Sequence, residues 1–329
     1  MSEEIVCLGI ESTAHTLSVG ITIGRKIVAN VSRVFVPGRG GIKPQEAAEH
    51  HYSEVQDAIE EALSESGVNL REIKLIAYSA GPGMPPCLQV AAVAARALAL
   101  ALGVAIVGVN HCLAHVEIAR TICGAEDPIV VYVSGGNTQI IGYKKDRYVV
   151  FGETEDIGLG NAQDKLARLL GAPQPYGPWM DKQEGKWIGL PYTVKGMDLA
   201  FSGIVTEAFK RFKEGAKIED VCYSFQEVCF SMLTEVAERA LAHTRKKDLV
   251  LTGGVAASRR LREKMRIMCE ERGVRFHTIP AEYARDNGAM IALTGFLAYK
   301  YAGWKWSVNE KIKPKWRIDS FKWPLIPVC

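Results

Sequence analysis

The sequence lacks a long uninterrupted apolar run, and its cysteines lack close pairing. Its longest apolar stretch, residues 88–109, is interrupted by Gln89, Arg96 and Gly103, so it predicts a buried helix followed by a strand and not a membrane span. The acidic start, Met-Ser-Glu-Glu-Ile, is not typical of a signal or transit peptide. The eight cysteines contain no C-x-x-C pair, and we expect them to be reduced thiols in a cytoplasmic protein with no membrane contact.

Three common site motifs are also missing. The sequence contains no G-x-G-x-x-G dinucleotide fingerprint and no G-x-x-x-x-G-K-[ST] phosphate loop. It also contains no H-E-x-x-H zinc peptidase motif, because Cys112 stands where that motif needs its glutamate. A nucleotide, if bound, is therefore held by another arrangement, and metallopeptidase chemistry is disfavoured.

The charge is nearly balanced overall but unevenly distributed. The 329 residues carry 40 Lys and Arg against 37 Asp and Glu, a net charge of +3. Residues 1–130 hold 9 basic against 14 acidic residues, whereas residues 131–329 hold 31 against 23. The basic second part is compatible with a polyanion partner, and equally with an ordinary solvated surface.

A strand–turn–strand–turn–strand pattern occurs twice, at residues 5–31 and 129–151. Alternating strands and helices follow each copy, which predicts an internal duplication and an α/β fold with mixed sheets. The length is enough for two well-filled cores. We expect a first domain at 1–128, a second at 129–302, and a tail at 303–329 without predicted regular structure.

Two histidines and a later carboxylate are the first candidate site. His111 and His115 are spaced i, i+4, so on a helix their Cβ atoms lie about 5–6 Å apart, close enough to share a metal ion. Two ordinary helix histidines would show the same spacing. Asp286 and Asn287 occupy a helix N-cap position, and Asp286 could instead complete a two-histidine, one-carboxylate metal site.

Turns rich in glycine and hydroxyl residues are the second candidate site. Residues 134–138 (S-G-G-N-T) and 11–13 (E-S-T) occupy matching places in the two repeats and could present N–H groups to phosphate. Gly253-Gly254 ends a predicted strand and opens a helix, as in many nucleotide sites. Hairpin geometry alone uses the same residue types.

Basic residues cluster in the second part of the chain, and in the tail they alternate with tryptophans. This pattern suits RNA, whose phosphates attract cations and whose bases stack on rings, although the tryptophans could instead fix the tail to the core. The clusters are Lys210, Arg211 and Lys213; Arg245, Lys246 and Lys247; Arg259, Arg260, Arg262, Lys264 and Arg266; and Lys311, Lys313, Lys315, Arg317 and Lys322 with Trp304, Trp306, Trp316 and Trp323.

Six ordered motifs together resemble the Gcp/TsaD family over nearly the whole chain. They are I-E-S-T-A-H-T (10–16), N-H-C-L-A-H-V-E (110–117), V-Y-V-S-G-G-N-T-Q (131–139), G-N-A-Q-D-K-L-A-R (160–168), T-G-G-V-A-A (252–257) and A-R-D-N-G-A-M-I-A (284–292). Tyr132 and Asn137 on either side of the Ser-Gly-Gly turn resemble the archaeal and eukaryotic branch, the catalytic subunit of the KEOPS complex.

The resemblance implies an actin/hexokinase/Hsp70-like (ASKHA) α/β fold with two duplicated mixed-sheet lobes and a cleft between them. It implies a transferase that moves the threonylcarbamoyl group from threonylcarbamoyl-AMP to the N6 amine of adenosine 37 in tRNAs reading ANN codons. The implied partners are tRNA, a separate kinase-like ATPase subunit and small accessory KEOPS subunits. The alternatives are a sugar or acetate kinase using magnesium, and a nucleotide-binding scaffold that is active only within a complex.

The resemblance also implies which residues form the sites. His111, His115 and Asp286 would be catalytic and would hold one iron or zinc ion, with Tyr132 as an additional metal contact. Ser258 stands where the family usually has Asn, so that ligand contact would be altered. The adenine nucleotide, threonylcarbamoyl-AMP, ATP or an analogue, would be bound by Tyr132, Val133, Ser134, Gly135, Gly136, Asp164, Gly177, Asp181, Gly253, Gly254 and Ser258.

Overall fold

A computed structural model describes residues 4–37, 41–304 and 306–328. The strands are β1 (Val6–Glu11), β2 (Thr16–Ile23), β3 (Lys26–Val34), β4 (Leu75–Gly81), β5 (Ala105–Asn110), β6 (Ile129–Val133), β7 (Thr138–Lys144), β8 (Arg147–Glu153), β9 (Val194–Lys195), β10 (Asp198–Leu199), β11 (Asp248–Thr252) and β12 (Arg275–Thr278). The helices are α1 (Pro44–Ser66), α2 (Pro85–Leu102), α3 (His111–Cys123), α4 (Leu159–Leu169), α5 (Tyr176–Asp181), α6 (Ser202–Lys213), α7 (Ile218–Thr244), α8 (Arg259–Glu271), α9 (Ala281–Ala284) and α10 (Gly288–Lys300).

The described residues divide into two compact units, one formed by residues 4–121 with 286–327 and the other by residues 122–285 with 328. This corrects the domain boundaries expected from the sequence. Helix α10 packs against β1, β2 and β4, so it belongs to the first unit and not to a second domain ending at residue 302. The physical reason is close packing: α10 is buried along nearly its whole length, and glycines let it approach the first sheet.

The first unit is built on a five-stranded mixed sheet in the order β3-β2-β1-β4-β5. Strands β1, β2 and β3 pair antiparallel, which confirms the first predicted meander. Strands β1, β4 and β5 are parallel, so their carboxyl ends meet at one edge of the sheet. The residues that follow these three strands therefore lie near each other.

Helix α2 is long and apolar enough, by length and composition, to match a membrane span. In this unit it packs against α1, β4 and β5, and its buried face is made mostly of alanines. The helix and the following strand are present as predicted, but only one face of the helix is buried, and Val93 and Leu100 on it are exposed.

The second unit repeats the sheet plan in the order β12-β11-β6-β7-β8. Strands β6, β7 and β8 pair antiparallel, and β6, β11 and β12 are parallel. The second predicted meander is therefore confirmed, and the carboxyl ends of β6 and β11 share one edge. Helices α4, α6, α7 and α8 enclose a core of leucines, valines, phenylalanines and methionines.

The tail packs in the first unit through its tryptophans. Trp304, Trp306 and Trp316 stack with ring centroids 5.8–6.4 Å apart, and Trp323 is fully buried. Of the two sequence-based interpretations of the tail, the structure therefore favours the one in which the tryptophans fix it to the core. The described cysteines form no disulfide bond, as expected, and Cys329 lies outside the described residues.

Replacing Gly20 by Ala tests the close contact between α10 and the first sheet. A Cβ atom at Gly20 would lie 2.2 Å from the backbone nitrogen of Ala289, so we expect G20A to lower the free energy of unfolding by about 1–3 kcal/mol. Gly203 on α6 has open space around the same position, and G203A should leave stability unchanged or slightly raised. Chemical denaturation measures both, and equal stabilities for the two variants would contradict the packing described here.

Candidate active site

The two histidines lie at the start of a helix that directly follows a strand. Strand β5 ends at Asn110, whose side-chain oxygen accepts a hydrogen bond from the N–H of Leu113 at 2.9 Å and so caps α3. His111 and His115 are both buried, and their ring centroids are 4.7 Å apart at an interplanar angle of 82°. The predicted i, i+4 face is therefore present, and its imidazoles are held next to each other.

The carboxylate of Asp286 meets both imidazoles. Its Oδ1 atom lies 3.2 Å from His115 Nε2 and 3.5 Å from His111 Nε2. The neighbouring Asn287 caps α10 by accepting a hydrogen bond from Met290 N–H at 2.9 Å. The two roles left open by the sequence are thus divided between adjacent residues, and Asn287 takes the capping role.

These three residues form a donor set suited to a divalent metal. One ligand atom from each of His111, His115 and Asp286 lies within 4.8 Å of the others. Two imidazole nitrogens and one carboxylate oxygen are ligands that iron, zinc and manganese all accept. The residues present therefore fit the metal that the resemblance implies.

Glu11 and Thr13 are site residues whose part in this centre the sequence did not reveal. The Oε2 atom of Glu11 lies 3.0 Å from His111 Nδ1, and the hydroxyl of Thr13 lies 3.3 Å from the same nitrogen. A carboxylate on Nδ1 orients the ring and leaves Nε2 directed at Asp286, as in many metal-binding histidines. The signal was available, because β1 and β5 were both predicted and parallel strands bring Glu11 and His111 to one edge.

The pKa values show how strongly the two carboxylates act on this pocket. Burial lowers the pKa of His111, but Glu11 and Asp286 outweigh it and raise that pKa to about 9. Burial dominates at His115 and lowers its pKa, against the opposing effect of Asp286. Burial raises the pKa of Asp286, but the two histidines hold it well below its usual range. The pocket thus stabilises a cation, a proton on His111 or a metal ion in its place.

The second unit carries the Ser-Gly-Gly turn between β6 and β7. Ser134 N–H donates to the carbonyl of Asn137 at 2.8 Å, and Asn137 N–H donates to the Ser134 hydroxyl at 3.1 Å. The carbonyls of Ser134 and Gly135 accept hydrogen bonds from Gly160 and Asn161 at the start of α4. Gly135 and Gly136 are exposed, so the glycines of this hydrogen-bonded turn face solvent.

The diglycine after β11 lies beside this turn. Gly253 has a φ of +96°, and a Cβ there would lie 2.2 Å from the carbonyl oxygen of Val133, so only glycine fits. Gly254 is exposed, and a Cβ there would meet nothing within 4 Å. The structure therefore brings two of the predicted ligand segments, 133–136 and 253–254, to one edge of the second sheet.

A hydrogen-bond network joins two further predicted ligand residues. The Ser258 hydroxyl donates to Asp181 Oδ1 at 2.9 Å, and Gln226 Nε2 donates to the same oxygen at 2.6 Å. Ser258 also caps α8. Serine at this position thus orients the carboxylate of Asp181.

The remaining predicted residues lie on neighbouring elements of the second unit. Asp164 is exposed on α4, Gly177 lies on α5, and these two helices pack together. Tyr132 is fully buried on β6, where it pairs with Gln139 and Thr252. Its role as a metal contact stays a prediction.

Comparison with known families gives a match over most of the chain. Residues 25–293 match the family model described as TsaD, tRNA N6-adenosine threonylcarbamoyltransferase. A tRNA N6-adenosine threonylcarbamoyltransferase of Thermococcus sibiricus is 52% identical over 323 residues, covering 97% of this chain and 99% of that protein. A probable bifunctional tRNA threonylcarbamoyladenosine biosynthesis protein of Methanothermobacter thermautotrophicus is 49% identical, covering 97% of this chain but 61% of that protein.

Solved structures show the same fold at low sequence identity. Full-length HypF in its phosphate- and nucleotide-bound form aligns with a TM-score of 0.63 at 11% identity, covering 93% of this chain and 57% of that one. A ROK hexokinase from Thermus thermophilus aligns with a TM-score of 0.50 at 16% identity, covering 90% of this chain and 99% of that one. The hexokinase match and the two mixed sheets confirm the expected ASKHA-type α/β fold.

Proposed function

The chain belongs to the TsaD family of tRNA N6-adenosine threonylcarbamoyltransferases, and from that premise we propose how its residues carry out the transfer. It is an enzyme of the transferase class that acts on tRNA. We propose threonylcarbamoyl-AMP as the donor and the N6 amine of adenosine 37, in tRNAs reading ANN codons, as the acceptor. The observation that carries the site assignment is the His-His-Asp group, in which two buried histidines meet a partly buried aspartate.

The transfer proceeds directly to the amine, without a covalent enzyme intermediate. Cys87 and Cys123 are examples of thiols whose pKa burial raises to about 11, so little thiolate exists at neutral pH. The N6 amine of the tRNA attacks the carbamoyl carbon, and AMP leaves. The enzyme's contribution is then to position the two substrates and to stabilise charge at the carbonyl.

His111, His115 and Asp286 would hold the metal, iron or zinc, with Tyr132 as a further contact. A bound ion of this kind supplies Lewis-acid stabilisation of the negative charge that develops on the carbonyl or an adjacent carboxylate. Glu11 and Thr13 keep the His111 ring in place through Nδ1. Because the pKa of His111 is about 9 without a metal, metal binding requires that ring to lose its proton.

The second unit would bind the adenylate. The turn from Val133 to Gly136 would receive the phosphate, and Gly253 and Gly254 would receive the adenosine. Asp181, held by Ser258, is a hydrogen-bond acceptor suited to the ribose hydroxyls. Asp164 and Gly177 complete the proposed set on α4 and α5.

The tRNA would contact the basic surface of the second unit, helped by other subunits. In α8, Arg266 pairs with Glu263 and Glu270, and Lys264 pairs with Glu227. Arg259 is exposed at the helix start. Because few of these cations are open to a phosphate, we propose that tRNA binding is shared within a cytoplasmic KEOPS-type complex.

The partners of that complex would be a separate kinase-like ATPase subunit and small accessory subunits. The Methanothermobacter relative supports a partner with a second activity, because the name of that protein describes it as bifunctional.

Removing both histidines tests the metal assignment. We expect His111→Ala with His115→Ala to abolish metal binding and to slow tRNA modification by about 100-fold or more, since Lewis-acid stabilisation is worth several kcal/mol. Elemental analysis and a modification assay with partner subunits and threonylcarbamoyl-AMP measure the two effects. The exposed His243→Ala is the matched control and should retain both properties. Full activity in a metal-free double variant would contradict the assignment.

A bulky residue at Gly254 tests the adenosine position. Since a Cβ there meets nothing within 4 Å, Gly254→Val should change the free energy of unfolding by about 0.5 kcal/mol or less. It should nevertheless weaken AMP binding by about tenfold, because the side chain would occupy space that the ligand needs. Gly189→Val is a control, since Gly189 also has open space. Calorimetric titration with AMP measures affinity, and an unchanged value for Gly254→Val would refute this placement.

Charge reversal at Arg259 tests the tRNA surface. We expect Arg259→Glu to weaken tRNA binding several-fold and to reduce its salt dependence by about one phosphate contact. Arg71→Glu makes the same change of charge at an exposed position of the first unit and should alter binding by less than about twofold. Filter binding at several salt concentrations measures both. Equal effects of the two variants on tRNA binding would show a non-specific charge effect. That result would contradict the assignment of this surface to tRNA binding.

A further inference from the structure

We propose that the C-terminal segment, residues 306–326, is a positioning element for the helix that carries the two metal-binding histidines. This inference rests on the proposed metal site and names Asn110 and Trp323 as its positioning residues. All the contacts involved lie within the first unit. Three side chains of, or next to, α3 make hydrogen bonds to this segment.

The first contact is at the start of α3. The Asn110 side chain accepts from the N–H of Leu113 at 2.9 Å and donates through Nδ2 to the carbonyl of Trp316 at 3.0 Å. Asn110 is fully buried, so both bonds form away from bulk water. The residue next to His111 is thereby tied to the C-terminal segment.

The second contact involves Glu117 and Arg120, two and five residues beyond His115. The indole N–H of Trp323 donates to Glu117 Oε1 at 3.1 Å. Arg120 donates to both oxygens of Glu117, at 3.1 and 2.9 Å, and also to the carbonyl of Ile326 at 3.0 Å. All three side chains are buried, so loss of one donor leaves a charged group under-satisfied in a low-dielectric setting.

The C-terminal segment is itself anchored to the sheet edge that forms the site. Lys313 N–H donates to the carbonyl of Ala80 at 2.7 Å, and Gly83 N–H donates to the carbonyl of Pro314 at 3.1 Å. A Cβ at Gly81 would lie 1.9 Å from the Lys313 carbonyl oxygen, which shows how closely the two segments pass. The segment therefore connects α3 to the end of β4.

The consequence is that α3 is held on both sides of the His111–His115 turn. Metal sites lose about 10- to 100-fold in affinity when residues that orient their ligands are changed. A small shift of α3 would change both Nε2 positions relative to Asp286. The C-terminal segment thus acts on the metal through α3, without supplying a ligand.

Matched tryptophan variants test this inference. Trp323→Phe removes the N–H that reaches Glu117, whereas Trp316→Phe alters the same aromatic cluster but keeps the backbone carbonyl that Asn110 contacts. We expect Trp323→Phe to weaken Zn²⁺ binding by about tenfold and Trp316→Phe by less than about twofold. Chelator competition measures the affinity, and thermal unfolding is recorded for both. Comparable affinity losses in the two variants, or none in either, would overturn the proposal.

Asn110→Ser provides a second test with a smaller change in packing. Serine still caps α3 but is too short to reach the Trp316 carbonyl, so we again expect about a tenfold loss of Zn²⁺ affinity. If Trp323→Phe fails to fold, the Zn²⁺ affinity of Asn110→Ser is the deciding measurement. An unchanged affinity in Asn110→Ser refutes the proposal.

Hydrogen exchange separates this inference from the proposed metal site. In metal-free protein, amides 111–118 should exchange faster in Trp323→Phe, or in Asn110→Ser if the former does not fold, than in Trp316→Phe. A wild-type protein that binds no Zn²⁺ would contradict the metal site while the exchange data still report on α3. Equal exchange rates of amides 111–118 in the compared variants would then contradict the proposal that the C-terminal segment restrains α3.

Discussion

A single buried imidazole faced by two carboxylates is the interaction on which the rest of the first unit depends. Glu11 approaches Nδ1 of His111, and Asp286 approaches Nε2. The buried carboxylate of Glu11 and the partly buried carboxylate of Asp286 would be costly without a cation, so a positive charge between them stabilises the fold. The raised pKa of His111 is the response when no metal is present. The need for a positive charge between the two carboxylates also explains why a metal ion can replace that proton.

Placing a positive charge between the two carboxylates requires three distant parts of the chain to lie at one edge of the sheet. Glu11 ends β1, and His111 follows β5, which is parallel to β1 through β4. Asp286 arrives from the start of α10, and α10 reaches the sheet only because Gly9, Gly20 and Gly288 leave no side chain in the way. The glycines of this contact are thus as necessary to the site as its ligands.

The sequence was sufficient to predict the strands and helices, but it was not sufficient to predict how they pack together. The meanders and the i, i+4 spacing of His111 and His115 are local patterns, and the structure contains them as predicted. The placement of α10 in the first unit depends on packing between residues more than 250 positions apart, and no local period encodes it. The same limit applies to the tail, whose tryptophans pack by shape and not by periodicity.

The duplicated units use equivalent turns in different ways. After β1, the hydroxyl of Ser12 donates to Cys87, and Thr13 N–H donates to Glu11, so that turn is buried and its polar groups bond within the unit. After β6, the glycines of the Ser-Gly-Gly turn are exposed. A buried turn that contains a carboxylate favours a cation, whereas exposed glycine N–H groups favour an anion. The same strand–turn plan thus provides a physical basis for both proposed sites, a metal in one copy and an adenylate phosphate in the other.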